Sequence, residues 1–228
     1  TMNKIPNNFV DCIITSPPYN KGFWSKNRNI NNGWKTKCRR IDYEVFDDKL
    51  NPDVYEKQQK KVIKECLRIL KPNGSFFYNH IDILNEHNTI HPVFVYDFPI
   101  KQIIIWNRKG TPKIDKSYFY PINEYIFWIK KTKSSIPNFY KEQSIYKKNI
   151  WDINPEKKNT HPAPFPIELV GNCILSTTKE NDLIYDPYMG SGTTAKACIK
   201  LKRNYLGSEI NNKYIKKFKK TFIQTNLF

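Results

Sequence analysis

The chain has 228 residues, which is enough for one domain with a full hydrophobic core and too few for two ordinary domains. Its 38 lysine and arginine residues outnumber 21 acidic residues, and the net charge of +17 favours a polyanionic partner, with nucleic acid as the first candidate. The alternative explanation is an AT-rich genome that encodes many lysines, asparagines and isoleucines. No apolar run is long enough to span a bilayer, no signal sequence opens the chain, and the 5 cysteines are scattered. These features predict a cytoplasmic protein without a membrane, disulfide or metal site.

Strand-like and helix-like segments alternate along the chain, which predicts a mainly parallel sheet covered by helices on both faces. An apolar run at residues 9–15 predicts a strand that stops at consecutive prolines, because these exclude helix and end strand pairing. Asp53 is the expected cap of a helix that ends at a breaker, residues 71–74. Further strands are expected at residues 75–78, 102–106, 123–129, 183–185 and 204–208, and further helices at residues 167–175, 194–201 and 214–222.

Two basic segments, residues 21–48 and 130–160, lack periodicity and are predicted to be loops, mostly without regular structure. Lysine and arginine side chains on loops can neutralise phosphates, while aromatic rings between them can stack on bases. In the first segment the candidate DNA-contacting residues are Lys21, Trp24, Lys26, Arg28, Arg39 and Arg40. In the second segment the aromatic candidates are Phe139, Tyr140 and Tyr146.

Residues 183–201 read as a strand, a turn with two glycines and a helix, which is the arrangement that brings a cofactor close to bare backbone. The strand ends in Asp186, and the next strand-like run ends in Glu209, where an acid can hydrogen-bond ribose hydroxyls. Taken alone, the segment fits a structural turn equally well. It lacks the Gly-x-Gly-x-x-Gly spacing of nicotinamide dehydrogenases.

The turn Ser16-Pro17-Pro18-Tyr19 has the groups that an exocyclic amino group of a base needs. The Ser16 side chain and the Pro17 carbonyl can accept its two N–H bonds, and the Tyr19 ring can stack on a base turned out of the duplex. Acceptors on both N–H bonds draw the nitrogen toward a tetrahedral geometry and free its lone pair to attack a methyl group. A proline turn with a packed tyrosine is the alternative.

Taken together, residues 15–20 and 186–194 resemble the two principal motifs of the amino-group DNA methyltransferases of the β class. In that family the catalytic motif precedes the S-adenosylmethionine motif, as it does here. The resemblance implies an α/β, Rossmann-like methyltransferase fold over residues 1–228, with one antiparallel strand in a mainly parallel sheet and both turns at one sheet edge. It covers nearly the whole chain, with further likeness at residues 70–75, 104–106, 123–128, 161–166 and 203–209.

The resemblance also implies roles for individual residues. Ser16, Pro17, Pro18 and Tyr19 would form the catalytic motif that holds the target base. S-adenosylmethionine would lie against a larger set, namely Asp186, Pro187, Tyr188, Gly190, Gly192 and Thr193 at its methionine end, Glu209 at its ribose, and His161, Phe165 and Pro166 on the other side. For His161 a turn histidine with a satisfied hydrogen bond is an equal alternative.

Two features depart from the family's pattern. The family usually has a further strand upstream of the catalytic strand, whose acid helps to hold the adenine ring, and here only residues 3–8 precede it. Ser16 is commoner among cytosine-N4 enzymes, whereas Asn20 after Tyr19 is more typical of adenine-N6 enzymes. The sequence favours adenine N6 over cytosine N4, with base flipping.

The resemblance implies double-stranded DNA as the substrate, a homodimer, a target-recognition segment at about residues 130–160 and a possible cognate restriction endonuclease. An RNA or protein-amide methyltransferase and a basic DNA-binding protein without activity are the remaining alternatives.

Overall fold

The computed structural model describes residues 2–21, 23, 49–84, 89–110, 119, 121–156 and 165–223. Within these ranges the long helices are α1 (Pro52–Ile69), α2 (Ile167–Thr177), α3 (Thr193–Lys200) and α4 (Asn212–Ile223), and short 3-10 helices span Met2–Lys4, Val93–Asp97 and Lys141–Gln143. The strands are β1 (Val10–Thr15), β2 (Leu70–His80), β3 (Ile83–Leu84), β4 (Thr89–Ile90), β5 (Ile100–Asn107), β6 (Asn123–Lys130), β7 (Ile150–Asp152), β8 (Leu183–Asp186) and β9 (Asn204–Gly207). None of the helices in the described ranges is long and apolar enough to cross a bilayer.

Seven of the strands form one sheet in the order β7-β5-β6-β2-β1-β8-β9, while β3 and β4 pair separately. Strand β1 lies between β2 and β8 and is parallel to both, and β8 is parallel to β9. Among the described strands of this sheet, β6 alone is antiparallel to its neighbours, β2 and β5. The expected mainly parallel sheet with one antiparallel strand is therefore confirmed.

Helices cover both faces of the sheet, as expected. On one face, α1 packs Tyr55, Ile63 and Cys66 against Ile13 of β1 and Tyr78 of β2. The opposite face carries α2 and α3, whose buried side chains meet a different set of strand residues, which includes Cys12, Ile14, Phe77, Ile126 and Ile184. Four cysteines in the described ranges are buried in these two clusters, at positions 12, 66, 173 and 198.

The start and the end of α1 differ from the prediction. The cap is Asn51, whose Oδ1 accepts a hydrogen bond from the Asp53 backbone N at 2.9 Å, because Pro52 occupies the first helical position. The predicted breaker, residues 71–74, belongs to β2, where the register against β1 shifts between Val10 and Cys12. A side chain at Gly74 would lie 2.8 Å from the Asp11 carbonyl oxygen, so this bulge needs glycine.

The described part of residues 130–160 is mostly without regular structure, as predicted, but residues 150–152 are an exception. They form β7, which pairs in parallel with β5 at the edge of the sheet. Trp151 and Ile153 are buried in the same core cluster as Trp106, and the Trp106 indole donates a hydrogen bond to the Ile153 carbonyl at 2.8 Å. Part of the expected target-recognition segment is therefore built into the sheet.

Candidate active site

The two motifs that lie far apart in the sequence meet at one edge of the sheet. Because β1 and β8 are parallel neighbours, the turn after Thr15 and the turn after Asp186 leave the sheet side by side. The Thr15 hydroxyl donates a hydrogen bond to Asp186 Oδ1 at 2.8 Å across 171 residues of sequence. The expectation that both turns lie at the same carboxyl edge is confirmed.

Asp186 is buried, and three protein donors hold its carboxylate. Oδ1 accepts hydrogen bonds from the Thr15 hydroxyl and the Tyr188 backbone N, and Oδ2 accepts one from the Thr194 hydroxyl at 2.6 Å. Burial raises the pKa of Asp186 from 3.8 to about 6, although the hydrogen bonds from Thr194, Thr15 and Tyr188 oppose this shift. The carboxylate therefore fixes the start of the glycine turn to both β1 and α3.

The glycine turn, which we define as residues 187–192, has a backbone that only glycine adopts easily at two positions. Gly190 and Gly192 have positive φ values of 53° and 83°. A Cβ atom on Gly192 would also overlap the ring of Phe218 from α4. Glu209 Oε2 accepts a hydrogen bond from the Gly190 backbone N at 2.8 Å, so the acid expected near a ribose lies directly against this turn.

The catalytic turn, which we define as residues 16–20, is held on one side by polar side chains of two strands. The Tyr19 hydroxyl lies 2.7 Å from Ser16 Oγ and donates a hydrogen bond to Glu124 Oε2 of β6 at 3.0 Å. Asn79 at the end of β2 donates from Nδ2 to the Tyr19 hydroxyl oxygen at 2.6 Å and to Glu124 Oε2 at 2.7 Å. Arg108 lies 3.1 Å from Glu124 Oε1 and balances its charge.

A second group of side chains holds the catalytic turn from the α1 side. The Tyr55 hydroxyl donates to the Pro18 carbonyl at 2.8 Å and lies 2.9 Å from His80 Nε2. Because the single Tyr55 hydroxyl proton is donated to Pro18, His80 Nε2 is the donor to the Tyr55 oxygen, and Nδ1 lies 2.9 Å from both the backbone N and the carbonyl oxygen of Ile81. Burial lowers the pKa of His80 to about 4, so the imidazole is neutral at pH 7.

Asn20 closes the catalytic turn in the left-handed conformation, with a φ of 58°. Its side chain accepts a hydrogen bond from the Leu50 backbone N and donates one to the Leu50 carbonyl, both at 2.8 Å. Asparagine tolerates this conformation better than most residues. The turn is thereby tied to the segment that leads into α1.

A narrow crevice opens at the carboxyl ends of β1 and β2, next to the catalytic turn. Asn79 Oδ1 is buried at this crevice and has no hydrogen-bond partner among the described residues. Phe165 forms part of the wall, and Pro166 follows it as the cap of α2. The other lining residues are Ile14, Thr15, Phe77, Ile126 and Leu169.

The described ranges include only some of the residues that were predicted to contact DNA. Lys21 is exposed, with its Nζ 5.3 Å from the centre of the Tyr19 ring. Within the protein, Tyr146 stacks on Trp151 and donates a hydrogen bond to Glu168 Oε1 at 2.5 Å. Phe139 is half exposed beside Trp128, and Tyr140 is half-buried. The basic-loop candidates Trp24, Lys26, Arg28, Arg39 and Arg40 lie outside the described ranges, as does His161.

Sequence reasoning did not assign four residues that surround the catalytic turn, namely Tyr55, Asn79, His80 and Glu124. The available signal was a polar side chain at the end of an apolar strand. Asn79 and His80 end β2, and Glu124 is the second residue of the antiparallel strand β6, whose first residues lie at the same edge. All three side chains are buried in the structure, whereas a polar residue at an ordinary strand end faces solvent.

Comparison with curated proteins finds relatives along almost the whole chain. The Type II methyltransferase M.BglII of Bacillus subtilis is 29% identical over 94% of this chain and 65% of its own length. The Type II methyltransferase M.HinfI of Haemophilus influenzae is 30% identical over 94% of this chain and 63% of its own length. The DNA adenine methyltransferase YhdJ of Escherichia coli K12 is 26% identical over 94% of this chain and 76% of its own length. The chain thus spans just under two thirds of the length of the first two relatives.

Solved structures share the fold. The PvuII cytosine-N4-specific DNA methyltransferase has a TM-score of 0.74 at 17% identity, with 100% of this chain and 84% of that chain covered. The DNA modification methylase TTHA0409 of Thermus thermophilus, complexed with S-adenosyl-L-methionine, has a TM-score of 0.69 at 23% identity, with 98% and 89% covered.

A family model described as DNA methylase, of the N6/N4 methyltransferase type, matches residues 10–220. The match begins at the first residue of β1 and runs through both turns into α4. It therefore includes the whole of the edge at which Thr15 meets Asp186. The chain belongs to the N6/N4 DNA methylase family.

Proposed function

We propose that this protein is an S-adenosylmethionine-dependent DNA methyltransferase that methylates adenine N6 within a short recognition sequence. The observation that carries the proposal is the 2.8 Å hydrogen bond between Thr15 and Asp186, which joins the catalytic turn to the glycine turn. A methyl donor and a methyl acceptor must meet for transfer, and ligands of open α/β sheets bind at this edge. Family membership supports the same conclusion.

The glycine turn suits the proposed cofactor. Positive φ values at Gly190 and Gly192 bring bare backbone to the edge, and the half-buried Glu209 lies beside them. When bound, S-adenosylmethionine supplies an electrophilic methyl group. The residues that would hold it are Asp186, Pro187, Tyr188, Gly190, Gly192 and Thr193, with Glu209, Phe165, Pro166 and His161 around them.

The catalytic turn suits the proposed target base. Ser16 Oγ and the Pro17 carbonyl would accept the two N–H bonds of the exocyclic amino group, while the Tyr19 ring would stack on the flipped base. Pro18 takes no part in this contact, because its carbonyl accepts the Tyr55 hydroxyl and so fixes the direction of the turn. Lys21 beside Tyr19 and the further basic residues of positions 24–40 would neutralise phosphates.

Cytosine N4 is the second candidate target, and the observation that favours it is Ser16 in place of an aspartate. Asn20 after Tyr19 favours adenine. Among the relatives, YhdJ is a DNA adenine methyltransferase, whereas the PvuII enzyme is cytosine-N4-specific. We keep adenine N6 as the proposal.

The proposal extends to the partners. The net charge of +17 supports a nucleic acid substrate, and the family supports DNA, which we propose to be double-stranded. The names of the Type II relatives are consistent with a cognate restriction endonuclease in the same cytoplasm. We also propose a homodimer, a single methyltransferase domain over residues 1–228, and target recognition by residues 130–160 together with residues 21–48.

One experiment tests the proposed function directly. Mixed-sequence double-stranded DNA is incubated with the protein and S-adenosylmethionine, digested to nucleosides and analysed by mass spectrometry, with the Tyr19→Ala variant as the control. We expect N6-methyladenine from the wild type only. N4-methylcytosine would replace the proposal by its second candidate, preferred methylation of competing RNA would overturn the DNA substrate, and no product despite bound cofactor would overturn the activity.

A further inference from the structure

Glu124 is a buried acid at the catalytic edge that the proposed mechanism does not use. Its side chain is only 8% exposed, although it carries a carboxylate. Three side chains surround it: Tyr19 and Asn79 donate to Oε2, and Arg108 lies at Oε1. Burying a carboxylate is costly unless its hydrogen bonds are satisfied, so this arrangement needs a reason beyond packing.

The hydrogen bonds around Glu124 determine where the Tyr19 proton lies. An ionised carboxylate only accepts, so the single hydroxyl proton of Tyr19 is donated to Glu124 Oε2. The Tyr19 oxygen is then an acceptor, and Asn79 Nδ2 donates to it at 2.6 Å. Ser16 Oγ lies 2.7 Å from the same oxygen.

The direction of the last bond follows. Since the Tyr19 proton is committed to Glu124, Ser16 must be the donor in its contact with Tyr19. The two protons on Asn79 Nδ2 are also committed, to Tyr19 and Glu124, so the 3.5 Å contact from Asn79 to Ser16 is weak. The Ser16 oxygen therefore keeps its lone pairs for a ligand, and its proton points away from the ligand.

We infer that Glu124 is a positioning residue that makes Ser16 an acceptor for the target amino group, by setting the proton direction along Ser16, Tyr19 and Glu124. The inference rests on the proposed function. A serine hydroxyl can face an amino group with its proton or with its lone pairs, and only the lone pairs accept the N–H bond. Without Glu124, the Tyr19 proton can turn to Ser16, and the serine proton is then free to face the base.

The same arrangement explains how a neutral residue can stand at this position. An aspartate there would be an acceptor in every orientation and would bring its own charge. With Ser16, the charge lies two hydrogen bonds away on Glu124, and aligned bonds polarise one another so that the Ser16 oxygen becomes a better acceptor. Glu124 thus supplies the negative charge that an aspartate at position 16 would carry.

The first test is the rate of a single turnover of methyl transfer. Glu124→Gln keeps an acceptor for Tyr19 but removes the charge, and we expect a fall of about 10- to 100-fold in the rate with the cofactor dissociation constant unchanged within about twofold. The matched control is Glu180→Gln, because the Glu180 side chain is 60% exposed and lies in the turn before β8, at the sheet edge away from both turns. Equal rates for Glu124→Gln and the wild type would overturn the inference.

The second test moves the charge to position 16. In the Ser16→Asp variant two carboxylates compete for the single Tyr19 proton, so adding Glu124→Gln should raise the rate rather than lower it. A residue with a merely structural role would lower the rate in both backgrounds. A further fall in the double variant would therefore overturn the inference.

The third test follows the hydrogen bond between Tyr19 and Glu124 by NMR, so it does not depend on methyl transfer. With 3-fluorotyrosine at position 19, the ¹⁹F resonance should move in Glu124→Gln and stay in place in Glu180→Gln. An unmoved resonance in Glu124→Gln would overturn the inference even if the enzyme is active. A wild type that transfers no methyl group while this resonance moves would instead overturn the proposed function and leave the hydrogen-bond direction supported.

Discussion

The catalytic turn and the glycine turn lie side by side, yet they are held in opposite ways. Side chains from three elements hold the catalytic turn, with Tyr55 of α1 at Pro18 and with Asn79 of β2 and Glu124 of β6 at Tyr19. The glycine turn is held through its own backbone N–H groups, which donate to the carboxylates of Asp186 and Glu209. One turn has fixed side chains, and the other has a fixed backbone.

This difference matches what each turn must present. A base is recognised through a few directed side-chain oxygens and a ring, so their orientation decides the rate. A cofactor held against bare backbone needs the shape and charge of the turn, so affinity depends on the acids that hold it. Substitutions around the catalytic turn should therefore alter the rate of transfer, and substitutions around the glycine turn should alter binding and the dependence on pH.

The largest expected effect is that of Tyr19→Ala. It removes the stacking ring and the oxygen that Ser16 and Asn79 contact, so we expect methyl transfer to fall by about 1,000-fold. Cofactor affinity measured by calorimetry should stay within about twofold of the wild type, because the glycine turn is untouched. Retained transfer would contradict the catalytic role of Tyr19.

Asp186→Ala should show the opposite pattern to Tyr19→Ala, with cofactor binding weakened first. The change leaves the Thr15 and Thr194 hydroxyls and the Tyr188 backbone N without their acceptor, and each unsatisfied buried group costs about 1–3 kcal/mol. We expect the cofactor dissociation constant to rise by about 10- to 100-fold in calorimetry. Asp186→Asn is the control that keeps the shape, and an affinity of Asp186→Ala equal to that of the wild type would contradict our placement of the cofactor.

The opposed titrations of Asp186 and His80 give a smaller effect that also distinguishes the turns. The raised pKa of Asp186 means that the folded state gains stability as pH falls from about 6 toward 3.8. The lowered pKa of His80 means that the folded state loses stability as pH falls from 6.5 toward about 4. Each contribution is roughly 3 kcal/mol at 1.36 kcal/mol per unit, so the two largely cancel in the wild type.

Denaturant unfolding between pH 4 and pH 7 tests this cancellation. Relative to the wild type, Asp186→Asn should lose roughly 3 kcal/mol more as the pH falls, since only His80 then titrates. His80→Gln should show the reverse and become relatively more stable toward pH 4. Parallel pH profiles for the three proteins would show that neither group titrates as described.

The smallest expected effect is that of Tyr55→Phe, which removes the hydroxyl between Pro18 and His80. We expect the free energy of unfolding to fall by about 1–2 kcal/mol and the transfer rate to fall only a few-fold, because Ser16 and Tyr19 keep their own partners. Tyr96→Phe is a suitable control, since Tyr96 is half exposed. A loss of rate as large as that of Tyr19→Ala would mean that the hydrogen bond from Tyr55 to Pro18 matters more for transfer than the hydrogen bond from Tyr19 to Glu124.

Local sequence patterns were sufficient to locate the elements that have a clear helical periodicity or a continuous apolar run. Strands β5 and β6 and helix α2 fall where apolar runs and helical spacing predicted them. Strand β7 was missed because it has three residues and forms only by pairing with β5, a contact that local sequence does not encode. The cap of α1 was misassigned because Asn51 and Asp53 are both good caps, and only the preference of Pro52 for the first position separates them.

The parts of the candidate site that are contiguous in the sequence were predictable. The parts that the fold brings together from distant residues were not. Ser16–Tyr19 and Asp186–Thr194 are each read from neighbouring residues, so both turns were found. Glu124 contacts Tyr19 across 105 residues, and Asn79 contacts Glu124 across 45. Each of these two looks like an ordinary polar strand end until the sheet order is known.

The position of β1 between β2 and β8 has a consequence for how the protein is made. One neighbour, β2, follows within the first 80 residues, but the bond from Thr15 to Asp186 waits for 171 further residues. At the ~5–20 residues per second of synthesis, that interval is about 10–30 s, during which one side of the catalytic strand has no partner on the ribosome. On the proposed function, a nascent chain would therefore contain its Ser-Pro-Pro-Tyr segment long before it could bind a methyl donor.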